Sequence, residues 1–252
     1  MSGHSKWSSI KHQKGAADAK RGQLFTKLTR EIIIASRTGG SNSEANFRLR
    51  LAIQKARDSN MPLENIDRAV KKGAGELEGV ILVELVLEGY GPSGIAVLVQ
   101  ALSDNRNRTV QEVRSTFSRH GGNLGESGSV AWLFDSKGVI AIKTEGLDAD
   151  ELALTAIDAG AEDVKIESGY IEVYTKPEQL EAVRKGLEEK GLTIDSSELM
   201  MLPKTTIQLD EKAGLTALKL LDKLEEIDDV QHVSSNADFP DSVLEKYQMQ
   251  QA

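Results

Sequence analysis

A mixed α+β, multi-domain fold is predicted from three observations. Helical periodicity fills the first third of the chain, period-two apolar runs begin near Val80, and strands then alternate with helices in short order. The expected architecture is an N-terminal helical domain plus two ferredoxin-like α/β domains, one inserted in the other. The boundaries fall at 1–78 for the basic helical domain, 79–136 with 204–240 for a discontinuous α/β domain, and 137–203 for the inserted one. A length of 252 residues exceeds what one small core needs and agrees with that division.

The first helix is predicted from about Lys14, with Leu24, Phe25, Leu28, Ile32 and Ala35 on one stripe. Lys20, Lys27, Arg30 and Arg37 fall on the other face and are expected to point outward. Asn46 is a candidate N-cap for a helix from Phe47 to about Ser59, and Pro62 opens a third that Gly73 closes. Strands follow at 80–88 and 95–100, joined by Gly89-Tyr90-Gly91-Pro92-Ser93-Gly94. That turn spells the dinucleotide-binding glycine pattern, but a second β run follows it where the motif requires a helix, so a hairpin is the better account. Thr109 and Glu112 form a capping box for the next helix, with Val110, Val113 and Phe117 inward.

Gly121 to Gly128 reads as a loop and Ser129–Phe134 as a strand. The inserted unit shows strand, helix, two strands about Gly169, helix and strand between Val139 and Met201. After Pro203 come a strand at Thr205–Leu209, a helix at Ala213–Ile227 and a strand at Val230–Ser234.

Charge is distributed unevenly. Residues 1–75 hold fifteen Lys and Arg against six Asp and Glu, although the whole chain has a net charge of −8. A basic head on an acidic body favours an oriented encounter with a polyanion. The candidate nucleic-acid contacts are Lys6, Trp7, Lys11, His12, Lys14, Lys20, Arg21, Lys27 and Arg30, with the lysines on phosphates and Trp7 stacking. Asp18 and Arg21, three apart on the apolar side of the first helix, are better explained as a structural ion pair than as a catalytic pair. Arg106 and Arg108 lie where a helix starts, a place that favours anions, and form the second candidate contact.

No catalytic constellation is visible. Cysteine is absent, which removes thiol nucleophiles and cysteine-ligated zinc. The four His, at 4, 12, 120 and 232, show no metal-ligand spacing, and no phosphate-binding loop or nucleophile elbow occurs. The acids Asp148, Asp150, Glu151, Asp228 and Asp229 sit at helix ends, where dipole and solubility explain them. No enzyme activity, metal, cofactor or small-molecule substrate is expected. Without an apolar run of membrane length or a signal sequence, a cytoplasmic protein that engages no membrane is expected.

The strings Gly3-His4-Ser5-Lys6-Trp7, Arg30-Glu31-Ile32, Asn60-Met61-Pro62, Glu88-Gly89-Tyr90-Gly91-Pro92, Leu102 to Thr109 and Gly121 to Gly125 resemble the YebC/PmpR family across nearly the whole chain. Phe47 stands where that family's pattern would put Pro after Asn46, which alters helix entry rather than chemistry. The resemblance implies three domains and a cytoplasmic regulator of gene expression, with members described as DNA-binding transcriptional regulators. Related members, including a mitochondrial translational activator of cytochrome c oxidase, act on translation and the ribosome, at difficult proline-containing sequences. It implies no catalytic residues. A regulator that binds duplex DNA is therefore expected first. A translation factor on ribosomal RNA and the ribosome is the alternative, and a protein-interaction scaffold the second.

Overall fold

The computed structural model describes residues 18–144, 148–167 and 169–251; of these, the side chains of 18–20, 167, 248, 250 and 251 are not described. The chain is a mixed α+β protein with a helical N-terminal region and two sheet-containing parts. It divides into two compact units, one of residues 1–133 and 203–252 and the other of 134–202.

Three helices open the larger unit: α1 (Asp18–Gly39), α2 (Phe47–Asp58) and α3 (Leu63–Gly73). Leu28, Ile32 and Ala35 of α1 are buried against Leu49, Ala52 and Ala56 of α2 and Ile66 and Ala69 of α3. The Asn46 side chain caps α2 by accepting from the Leu49 N–H, and its amide donates to the Ala35 and Gly40 carbonyls. One buried Asn thus ends α1 and starts α2. Gly73 has to be Gly, because a Cβ there would lie 2.5 Å from the Ile33 carbonyl oxygen.

Strands β1 (Val83–Tyr90) and β2 (Ala96–Ser103) form an antiparallel hairpin, with Tyr90 opposite Ala96 across the glycine-rich turn. Helix α4 (Arg106–Arg119) crosses back and leads to the short β3 (Asn123–Leu124), which pairs with β1. Asn105, not Thr109, is the N-cap of α4, its side chain accepting from the Arg108 N–H. The capping box is thereby corrected: Thr109 lies one turn into the helix and is buried. The segment read as a strand at 129–134 is also corrected. A single 3-10 turn occupies Ala131–Leu133, because the buried Glu88 carboxylate draws in the N–H groups of Gly128, Val130 and Ala131 and curls the chain away from a ladder.

The smaller unit runs β4 (Phe134–Lys143), α5 (Ala149–Asp158), β5 (Asp163–Glu167), β6 (Tyr170–Thr175), α6 (Leu180–Glu189) and β7 (Ile194–Pro203). Its strand order β5-β6-β4-β7 is the ferredoxin-like order that the sequence pattern predicts. Ile140, Ile142, Ile171, Val173, Leu180 and Leu187 are fully buried in it.

The chain then returns to the larger unit. The Leu133 carbonyl accepts from the Lys204 N–H at 2.8 Å, so the ends of the excursion meet. Strand β8 (Ile207–Gln208), helix α7 (Glu211–Glu225) and β9 (Val230–Ser235) follow, and β9 pairs with β2 to complete the sheet β3-β1-β2-β9. Strand β10 (Ala237–Asp238) pairs with β8, and a last helix, α8 (Asp241–Gln251), was not legible as an element in the sequence pattern. Val113 and Phe117 of α4, Leu218, Leu220, Leu221 and Leu224 of α7, and Val243 and Leu244 of α8 share one core on the sheet.

Phe117 has no exposed surface and touches the positions where Cβ atoms on Gly89 and Gly122 would stand. Phe117→Ala is expected to cost about 3–5 kcal/mol, read as a lower urea midpoint, with Phe117→Leu much closer to wild type.

Candidate nucleic-acid interface

Several of the expected contacts can be located and several cannot. Lys6, Trp7, Lys11, His12 and Lys14 lie outside the described residues, as does the Lys20 side chain. Arg21 is exposed with no partner among the described side chains; the Asp18 side chain with which it would pair is not among them.

The outward face expected of α1 proves to be a docking face. Gln23, Lys27 and Arg30 recur at i, i+4 and i+7, and all three turn toward the end of α7. The Gln23 amide donates to the Glu226 carbonyl and to the Asp228 carboxylate. Lys27 Nζ donates to the Glu225 carbonyl at 2.6 Å. Arg30 Nη1 reaches the Asp228 carbonyl at 2.6 Å and Asp229 Oδ1 at 2.7 Å. The last carbonyls of a helix lack internal partners and carry the negative end of its dipole, so cations collect there. The outward orientation expected of Lys27 and Arg30 is therefore corrected: both anchor α1 to the end of α7. Arg37, one further heptad along, donates to the Leu82 carbonyl.

Asp229 is the centre of this arrangement. It is buried, at 2 % exposure, and its carboxylate accepts from Arg108 Nη2 at 2.7 Å, Ser103 Oγ at 3.0 Å and Thr109 Oγ1 while pairing with Arg30. Burial opposes its ionisation. The hydrogen bonds from Thr109 and Arg108, the Arg30 charge and the Ser103 hydroxyl outweigh that opposition and hold its pKa below the ordinary carboxylate range. Arg108 also pairs with Asp104 at 2.7 Å, and these two carboxylates push its own pKa upward. Arg108, half-exposed at the start of α4, is thus held by two carboxylates. Arg106, in the first turn of α4, is exposed and has no partner among the described residues.

A second ion cluster sits at Arg48, whose guanidinium meets Glu31 of α1 at 2.7 Å and Glu84 of β1 at 2.9 Å. Partial burial would lower its pKa, but the two acids more than reverse that. The roles of Asp229 and Glu88 escaped the sequence reading because their partners are at least 40 positions distant. The one available signal was the Arg-rich run at 104–109, which needs a counter-charge once folded.

Among the described residues no group of three or more His, Asp or Glu side chains is placed to hold a metal ion, and no helix is long and apolar enough to cross a membrane.

Comparison with known proteins decides the family. Residues 5–76 match the model of the TACO1/YebC protein N-terminal domain, and residues 82–237 that of the TACO1/YebC second and third domain. The chain belongs to the TACO1/YebC family. It is similar to a "probable transcriptional regulatory protein" of Dehalococcoides mccartyi, 64% identical over 250 residues that cover 99% of this chain and all of that one. A protein of the same description from Trichlorobacter lovleyi is 54% identical over 246 residues, covering 98% of this chain and 99% of that one. The crystal structure of a conserved hypothetical protein from Aquifex aeolicus is similar too, at 50% identity and a TM-score of 0.85, covering 92% of this chain and 96% of that chain.

Asp229→Asn would leave Arg30 and Arg108 facing a neutral amide in a buried setting, and a loss of about 3–5 kcal/mol is expected. Because the folded-state pKa of Asp229 is depressed, its contribution is full above the unfolded value of about 3.9 and is lost as pH falls from there. Thermal melts from pH 7 to pH 3 should therefore show a steeper acid decline for wild type than for Asp229→Asn.

Proposed function

We propose that this chain is a non-enzymatic, nucleic-acid-binding regulator of gene expression whose first target is duplex DNA. The observation that carries the proposal is the division of its cations into two sets. Lys27, Arg30, Arg37, Arg48 and Arg108 are committed to internal partners and fix the helical region on the sheet. Arg57, Arg68 and Lys71 of α2 and α3, and Arg106, Arg114 and Arg119 of α4, are exposed and lack partners among the described residues. Arg68 and Lys71, three apart on α3, share one exposed face.

Exposed cations carried on packed helices of an otherwise acidic protein suit phosphates, since neutralising a polyanion releases its condensed counterions. The lysines at 6, 11 and 14 extend the same charge along the sequence. The description of the relatives as probable transcriptional regulatory proteins supports DNA as the ligand. Contacts of this kind position a protein on a duplex without selecting bases. Sequence preference would then come from duplex shape.

Full-length protein should bind mixed-sequence duplex with an affinity that falls log-linearly with salt. Replacing both Arg68 and Lys71 by Glu should flatten that slope by about two contacts' worth. An unchanged slope removes α3 from the interface. Tighter binding to ribosomal RNA at matched salt would move the role to translation. Partner capture that is unaffected by deleting 1–75 would make the protein a scaffold.

A further inference from the structure

Two large aromatic side chains of the larger unit stay exposed although each is held by a hydrogen bond. Trp132 is 65 % exposed and Tyr90 37 %. The Tyr90 hydroxyl donates to the Ser129 carbonyl at 3.1 Å, and Trp132 Nε1 donates to the same oxygen at 3.2 Å. Their polar ends therefore lie no further apart than those two bonds allow. The Trp132 carbonyl is held in turn by Lys204 Nζ at 2.9 Å.

The support beneath them is rigid. Glu88 receives three backbone N–H groups from the segment that carries Ser129, and this ties the loop to β1, the strand that ends at Tyr90. Burial disfavours the Glu88 anion, but those three donors hold its pKa below the ordinary range, so the tie is ionic near neutral pH. At the other edge Gly122 passes so near the Tyr90 carbonyl that a Cβ would stand 2.6 Å from that oxygen. An exposed indole usually forfeits burial energy and keeps rotamer freedom. Here the freedom is already restricted while the ring surface is left open, as a pre-organised binding surface requires.

We propose that Tyr90 and Trp132 form a stacking platform for an unpaired nucleobase, a contact that rests on the nucleic-acid-binding reading above and adds a single-stranded subsite to it. Any base can stack on such a surface because every base has a π-face. Cations for the adjoining phosphates are at hand. The exposed Arg119 sits three residues before Gly122, and Lys204, bonded to the Trp132 carbonyl, adds positive charge beside the ring.

The test uses the full chain and a labelled single-stranded oligonucleotide of about 12 nucleotides, in DNA and RNA forms, with binding read by anisotropy. Oligonucleotide should quench tryptophan emission in wild type. The quench should persist in Trp7→Phe, where Trp132 is the remaining indole, and affinity should be mostly kept in Trp132→Phe because a stacking ring persists. Trp132→Ala should bind about tenfold more weakly or worse, with an unchanged circular dichroism spectrum and melt. Equal affinity in wild type and Trp132→Ala overturns the platform. Duplex binding without single-strand quenching also overturns it and leaves the nucleic-acid reading intact. Failure of wild type to bind either duplex or single strand removes both. Quenching by an extended polar peptide but not by oligonucleotide assigns the rings to a protein partner and overturns the proposal.

Discussion

The buried carboxylate of Asp229 is the constraint on which the larger unit depends. It stands just before β9, in the turn that follows α7, yet its partners come from α1, β2 and α4. A buried anion costs several kcal/mol unless it is paired and hydrogen-bonded. Each oxygen is accordingly met: Oδ1 by Arg30, and Oδ2 by Arg108, Ser103 and Thr109. The geometry that satisfies the charge also sets where α1 lies on the sheet and how α4 leaves β2. No apolar contact could impose both directions at once, since hydrophobic burial has no preferred angle.

The same accounting changes the meaning of the basic N-terminal region. A count of charges by segment suggests a helix that displays all its cations, but a folded protein first uses its charges on itself. Lys27 and Arg30 go to the end of α7, and Arg48 bridges Glu31 and Glu84. Among the described residues of this region, Arg57, Arg68 and Lys71 remain exposed on helices that those contacts hold in place. Rigid placement of fewer charges serves phosphate contact better than a larger number on mobile stems, because less side-chain entropy is lost on binding.

Much of the fold was legible because its signals are local. The strand-helix-strand-strand-helix-strand order of the smaller unit, the Asn46 cap and the β1–β2 hairpin each depend on residues within a few positions of one another. What escaped depends on distance. Thr109 looks like a cap by spacing alone, and only the packing of Ser103 and Asp229 around its hydroxyl explains its burial. Ser129–Phe134 has strand composition, but Glu88 far upstream bends it. Helix α8 lacks a strong apolar stripe, and its Val243, Leu244 and Tyr247 reveal their inward face only against α7. Lys27 and Arg30 could not be read as anchors, since periodicity identifies a face and not what covers it.

The return of the chain to the larger unit after residue 202 has a consequence for its birth. The acceptors for Gln23, Lys27 and Arg30 are made about two hundred residues after their donors. Until α7 and β9 leave the translating machinery, the sheet lacks an outer strand and α1 lacks its counter-charges. Long-range closure of this sort is slow compared with local helix formation. The donors on α1 are thus made long before their acceptors exist, and final assembly waits for nearly the last fifth of synthesis.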